Sequence, residues 1–127
     1  MLAISILAPH GMNIATGRKT IEVRSWKPDV LPLYNLLVVE NNEALLLDGQ
    51  SDPNGRAVAI IDIVEVTPWL PSQVETACST SWQPGYWAWT IVNVRPLQSL
   101  LPTMAKRKLY EVEIEDGFQL EQIYDAN

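Results

Sequence analysis

Cysteine and histidine are nearly absent from this chain, with one of each, Cys78 and His10, in 127 residues. A single cysteine excludes an internal disulfide, and with nothing else suggesting export the expected location is the cytoplasm. One histidine and one cysteine cannot build a zinc site of the usual kind, and no Ser–His–acid arrangement can be assembled around His10. There is no phosphate loop and no dinucleotide fingerprint, so no metal or other cofactor is expected. No apolar run approaches the ~18 residues that a membrane helix needs. The apolar opening, Met1 to Ala8, lacks a basic leader and a cleavage site and reads as a buried strand. Positive charge is also scarce. Nine Lys and Arg against fifteen Asp and Glu leave a net charge of −6 and a pI of about 4.6, which argues against broad binding to polyanions.

What is present fits one globular domain over 1–127. The chain is 47% apolar and 19% charged, an ordinary balance for a folded protein of this size. The few cations are unevenly spread. Seven of the nine fall in two groups: Arg18, Lys19, Arg24 and Lys27, then Lys106, Arg107 and Lys108. If the groups meet, an acidic protein carries one local positive site; otherwise both are solvated faces.

The apolar pattern predicts mainly strands. Leu2 to Leu7 reads as a buried strand. Pro9 can open a short helix that ends at Gly17. Thr20 to Trp26 alternates, with Ile21 and Val23 toward the core and Glu22 and Arg24 sharing the other face. Lys19 precedes that strand, and the alternation does not fix its direction. Tyr34 to Val39 and Gly85 to Val94 are further strands, and Ala57 to Val66 is apolar enough to be covered on both faces. Ala44 to Leu47 is of undecided type, and Asp48 to Gly55 is a loop. Ser72 to Ala77 reads as one or two helical turns, with Ser72 as cap and Glu75 completing a capping box. Leu109 to Ile114 alternates as a closing strand, and Phe118 to Tyr124 suggests a last one. Six or seven short strands with two short helices predict an α+β, mainly β chain forming a small, mixed, mostly antiparallel barrel.

Three residue sets can carry chemistry. Lys19, Glu22 and Arg24 lie within six positions. Arg24 can grip a carboxylate or phosphate in two-pronged fashion, Glu22 can accept from an amino group or an attacking water, and Lys19 can act as a base if burial or neighbouring cations prepare it. The bland alternative is a self-satisfied ion pair on a barrel edge. The five tryptophans, Trp26, Trp69, Trp82, Trp87 and Trp89, form the second set. Trp87 and Trp89 share a strand face and suit the core, whereas Trp26 can stack on a base or sugar. Asp62 stands amid Val58, Ile60, Val64 and Val66, where a hydrogen-bonded structural acid is the expected reading. His10 is a general-base candidate or simply a helix-start residue.

Gly17-x-Lys19-x-x-Glu22-x-Arg24, continued by Ser25-Trp26, resembles the signature of the ASCH domain family. Further similarities follow in chain order. Ala3-Ile4-Ser5-Ile6 with Pro9 resembles the opening strand and turn, and Gly55 to Val66 resembles the central strand. Trp89 to Leu97, containing Asn93 and Arg95, resembles the aromatic strand and its turn. Lys108 to Glu113 resembles the closing strand. The resemblance implies a barrel similar to the PUA fold and a cleft, lined by the signature, that faces RNA or a nucleotide-like ligand. It assigns Lys19, Glu22, Arg24, Trp26 and His10 to that cleft, with Lys106 and Lys108 on its rim. One bacterial branch is an amidohydrolase acting on acetylcytidine. That branch implies Lys19 as catalytic, with Glu22 where it has a threonine nucleophile and Glu75 nearest to its further glutamate. Leu7-Ala8-Pro9-His10 replaces the common arginine-glutamine-proline-tryptophan opening, and Val94 replaces a proline. Two expectations result: an RNA- or nucleotide-binding module, or a small amidohydrolase on acylated nucleosides.

Overall fold

The structure, a computed structural model, describes residues 1–113. The expected strand at Phe118 to Tyr124 lies outside the described residues. In chain order the elements are β1 (Leu2–Leu7), α1 (His10–Ala15), β2 (Ile21–Arg24), β3 (Leu33–Asn41), β4 (Ser51–Asp52), β5 (Arg56–Pro68), a 3₁₀ turn (Pro71–Gln73), β6 (Trp87–Pro102), β7 (Ala105–Lys106) and β8 (Leu109–Glu111).

Six strands form one sheet in the order β2-β6-β5-β3-β1-β8, and β4 pairs with β7 beside it. Among the described residues only β1 and β3 are parallel; every other pairing is antiparallel. The long β5–β6 ladder shifts register between Ala57 and Ala59, between Ile60 and Asp62, and between Ile63 and Glu65. Such bulges add twist and bend a ladder locally. The result is a curled, half-barrel sheet, in keeping with the expected small mixed barrel.

Apolar side chains fill both faces of the sheet. Ile4, Ile6, Val38, Ile61, Ile63 and Trp89 pack with Ile14 of α1 on one face. Ala3, Leu37, Val39, Ile60 and Leu97 pack on the other. This is why β5 reads as a continuous apolar run. Its coverage stops at Ile63, however, where pairing with β3 ends; Val64 and Glu65 beyond it are exposed. A third cluster, Ile21 with Trp69, Ala77 and Ala88, anchors β2 and the segment after β5.

Helix α1 begins after Pro9 and ends at Thr16, with Gly17 in the left-handed region at φ +80°. Gly11 is needed for a different reason. A Cβ there would lie 2.7 Å from the Cβ of Glu40, so only glycine lets α1 approach β3 this closely. Glu40, buried in the sheet, accepts the Met12 amide at 2.7 Å and pairs with Arg56 at 2.6 Å.

Two sequence expectations need correction. The capping box does not form at Ser72 and Glu75. The turn starts one residue earlier at Pro71, and the Gln73 side chain accepts the Leu70 amide at 2.9 Å instead. Proline at the first position sets the turn, since its fixed φ and missing N–H suit that place. The aromatic strand runs from Trp87 to Pro102, well past Val94, because Asn93 takes up the bend at φ +53°. Ala44 to Leu47 is loop.

Candidate functional site

Strand β2 positions the first site residues as its alternation requires. Ile21 is buried against Ala77 and Ala88, with Val23 packed beside it, so Glu22 and Arg24 turn to the opposite face. Lys19 is fixed by the chain around it. Its amide donates to the Asn13 carbonyl at 2.9 Å, and the next amide, of Thr20, donates to Thr76 at 3.0 Å. The side chain then enters the interior. Lys19 Nζ donates to the Ala77 carbonyl at 2.6 Å and lies 3.3 Å from Glu22 Oε1.

Glu22 is the hub of this cluster. Oε1 accepts from the Val23 amide at 3.0 Å and faces Lys19; Oε2 accepts from Arg24 Nε at 3.3 Å and Nη2 at 2.9 Å. Arg24 Nη2 also donates to the Ser5 carbonyl at 2.7 Å, tying β2 to β1 across the open side of the sheet. Burial by itself would raise the Glu22 carboxyl. The Arg24 guanidinium and Lys19 ammonium, with the Arg24 and Val23 hydrogen bonds, outweigh it and hold the carboxyl below its ordinary value of 4.5.

A carboxylate offers about four lone-pair positions; here the Val23 amide, Arg24 Nε and Arg24 Nη2 fill three, and the Lys19 ammonium faces Oε1 as an ion pair. Glu22 therefore orients two cations and is largely committed to its own neighbours. The cations do have capacity left. Lys19 makes one hydrogen bond, to Ala77, beside its ion pair with Glu22, and Arg24 Nη1 has no partner among the described residues. The side chains of Lys19 and Glu22 are 5% and 9% exposed, and that of Arg24 is 23% exposed.

These groups line a cavity of about 580 Å³ whose wall includes residues of β2 and of β1. The two basic groups of the sequence do meet here. Lys106 at the end of β7, with Arg107 and Lys108 in the turn to β8, lines the cavity together with Lys19 and Arg24. Ser5 holds that turn: its Oγ accepts the Lys106 amide at 3.1 Å and shares a 2.6 Å hydrogen bond with Tyr110 Oη. Burial raises the Tyr110 hydroxyl's pKa against the opposing effect of its hydrogen bonds. Arg107 pairs with Asp48.

His10 and Trp26 also line the cavity. His10 Nδ1 is buried and has no hydrogen-bond partner among the described residues. Trp26 meets the fully buried Trp89 edge-on, with ring centroids 5.0 Å apart, and the Lys108 ammonium lies over its ring at 5.8 Å. Glu75 does not join them. It is exposed and stands off the cavity wall, because it follows the 3₁₀ turn on its solvent side. Arg18 and Lys27 also point elsewhere, Lys27 over Trp87 at 4.3 Å.

Sequence reasoning missed the far wall. Trp69 and Tyr86 line it with their rings 6.4 Å apart, and Cys78 lies beside them. The available signal was weak: each aromatic adjoins a chain-breaking residue, Pro68 or Gly85, at an end of a long strand. Asp62, by contrast, lies outside the cavity. It accepts from the Asn35 amide, Asn93 Nδ2 and Arg95 Nη2 at 2.7–2.9 Å, so it is the hydrogen-bonded structural acid expected. Burial opposes its ionisation, but these three donors and the Arg95 charge outweigh that effect and hold its carboxyl below 3.8.

The sequence profile of the ASCH domain matches residues 4–101. The chain belongs to the ASCH family. This family is associated with RNA binding in a PUA-like fold, and the curled six-strand sheet is of that kind. Among solved structures, a point mutant of the ASCH protein from Zymomonas mobilis is similar, with 12% identity and a TM-score of 0.46 over 76% of this chain and 72% of that one. No curated protein matches the chain. Among the described residues, no three His, Cys, Asp or Glu side chains gather as metal ligands, and no helix is long and apolar enough to cross a membrane.

Proposed function

We propose that the cavity of this ASCH domain binds a nucleotide-like ligand, free or as part of an RNA, with Lys19 and Arg24 as the donors to phosphate or carbonyl oxygen. The observation that carries this reading is the unused donor capacity of two cations already oriented by Glu22. Preoriented donors cost little to engage, so most of their contact energy appears as affinity. Charge supports the reading. Five of the nine Lys and Arg line the cavity, against two carboxylates among the described residues, Glu22 and Glu43. An acidic protein thus focuses positive potential in one cleft. The volume, about 580 Å³, suits one small ligand. Trp26, Trp69 and Tyr86 offer rings for stacking, His10 adds a further ring to the wall, and Lys106 and Lys108 widen the positive rim. The domain reads as one unit over 1–127, acting in the cytoplasm without a cofactor.

The test is titration of short RNAs and ribonucleotides against the wild type and the Lys19→Ala and Arg24→Ala variants. Each variant is expected to bind about tenfold or more weakly, the cost of about 1.5 kcal/mol for a charged hydrogen bond. Equal binding by wild type and variants would sink the reading.

The second reading, an amidohydrolase on acylated nucleosides, rests on Lys19 standing 3.3 Å from Glu22 at the cavity floor. Lysine would then take the proton and Glu22 would steer water. The three protein hydrogen bonds on Glu22 and the position of Glu75 off the cavity wall favour binding. Release of acetate from acetylcytidine at high protein concentration, lost in Lys19→Ala, would reverse that order.

A further inference from the structure

We propose that Lys108 and a stacked base compete for the Trp26 ring, and that this competition makes the cavity selective for phosphorylated nucleotides over free nucleosides. The inference rests on the nucleotide-binding reading and names the ligand class that the reading leaves open.

Trp26 follows Arg24 by two residues and lines the cavity, and its surroundings are unequal. On one side stands Trp89, wholly buried and rigid. Over the ring stands the Lys108 ammonium, 5.8 Å from its centroid, within the range of a cation–π contact. A base stacking on that face of the ring must move the ammonium.

The backbone of Lys108 is restrained on both sides. Before it, β7 pairs with β4, and the Lys106 amide donates to Ser5 Oγ. After it, Leu109 pairs with Ile4 of β1. Lys108 itself turns the chain at φ +57°. The side chain is exposed, with four freely rotating methylenes. A displaced ammonium therefore stays beside the cavity, next to whatever the base carries. A free nucleoside takes the ring from Lys108 and offers no charge in return. A nucleotide offers a phosphate, which pairs with the displaced ammonium and restores the lost attraction. Lys108 thus opposes nucleosides and favours nucleotides.

The opposite signs are the test. Affinities of the four ribonucleosides and their 5′-monophosphates are measured by calorimetry on wild type, Lys108→Ala and, as control, Lys27→Ala. The Lys27 ammonium makes the same kind of contact with Trp87 outside the cavity. Lys108→Ala is expected to bind nucleosides about two- to five-fold more tightly, the worth of an exposed cation–π contact, and monophosphates about two- to five-fold more weakly. Lys27→Ala is expected to change neither. If Lys108→Ala weakens only the monophosphates, or both classes alike, Lys108 is a rim charge and the proposal is overturned while nucleotide binding stands. If no probe binds the wild type, the nucleotide reading falls and takes this proposal with it.

Discussion

Two buried acids, Glu22 and Asp62, make an instructive pair. Each sits on a strand of the same sheet, each is held by an arginine, and each has its carboxyl held below the ordinary range. Burial and a shifted pKa therefore do not tell them apart. Their partners do. Arg95 is engaged at all three of its nitrogens, donating from Nε to the Asn93 carbonyl, from Nη1 to Asn35 Oδ1 and from Nη2 to Asp62, so that cluster closes on itself. Around Glu22 the carboxylate is largely taken up by its neighbours, but Lys19 and Arg24 keep donors in reserve, and those residues line a cavity. An internal knot and a binding floor share one chemistry and differ in leftover hydrogen-bonding capacity.

Removing each acid tests this distinction hardest. Glu22→Ala leaves Lys19 buried with a carbonyl as its remaining partner, and a loss of about 3–5 kcal/mol in urea unfolding is expected, as for other broken buried pairs. Asp62→Ala should cost less, about 2–3 kcal/mol, because Arg95 is 31% exposed and can turn to water while the Asn35 amide is left unmet. Nucleotide binding should survive that second change. If Asp62→Ala abolished binding while the protein stayed folded, the contrast between knot and floor would be wrong.

A milder probe is Arg24→Lys, which keeps the charge and loses the planar fork. Ligand affinity is expected to fall about tenfold, whereas Arg95→Lys should leave affinity unchanged and lower only the melting temperature. Acid titration separates the two by position on the pH axis, the sign being the same. Both carboxyls have folded pKa values below their unfolded ones. As pH falls past about 4.5 for Glu22 and 3.8 for Asp62, the unfolded chain takes up protons first and stability declines, until the folded carboxyls titrate too. Glu22→Gln should flatten the upper part of that decline and Asp62→Asn the lower part, read as melting temperature against pH. The smallest effect is expected from Lys106→Ala. This exposed rim cation should lower the salt dependence of RNA binding by roughly one counterion, with little change in affinity at moderate salt.

Several of these residues were legible in the sequence. Alternation along β2 is enough to put Glu22 and Arg24 on one face, because neighbouring side chains on a strand must point oppositely. The apolar run of β5 and the glycine after α1 are local signals of the same kind. Asp62 was readable as a structural acid because an acid in an apolar run must find donors. The capping box was misread because a local pattern at Ser72 and Glu75 competed with a stronger local constraint, Pro71. The far wall of Trp69 and Tyr86 was not legible, since nothing in the spacing of two aromatics shows that loops from two strand ends will fold toward the same cleft.

By itself, then, the sequence determined the family, the strand pattern and the side of β2 that carries charge, because these follow from periodicity and short-range steric rules. The tertiary structure alone decided how that charge is used. Lys19 enters the interior because the Ala77 carbonyl, 58 residues away, waits there to accept it. Glu22 is spent on its own neighbours, and the Lys106–Lys108 turn arrives from the far end of the chain to close the wall. Which donors remain free depends on every partner the fold brings within reach, and that sum is long-range.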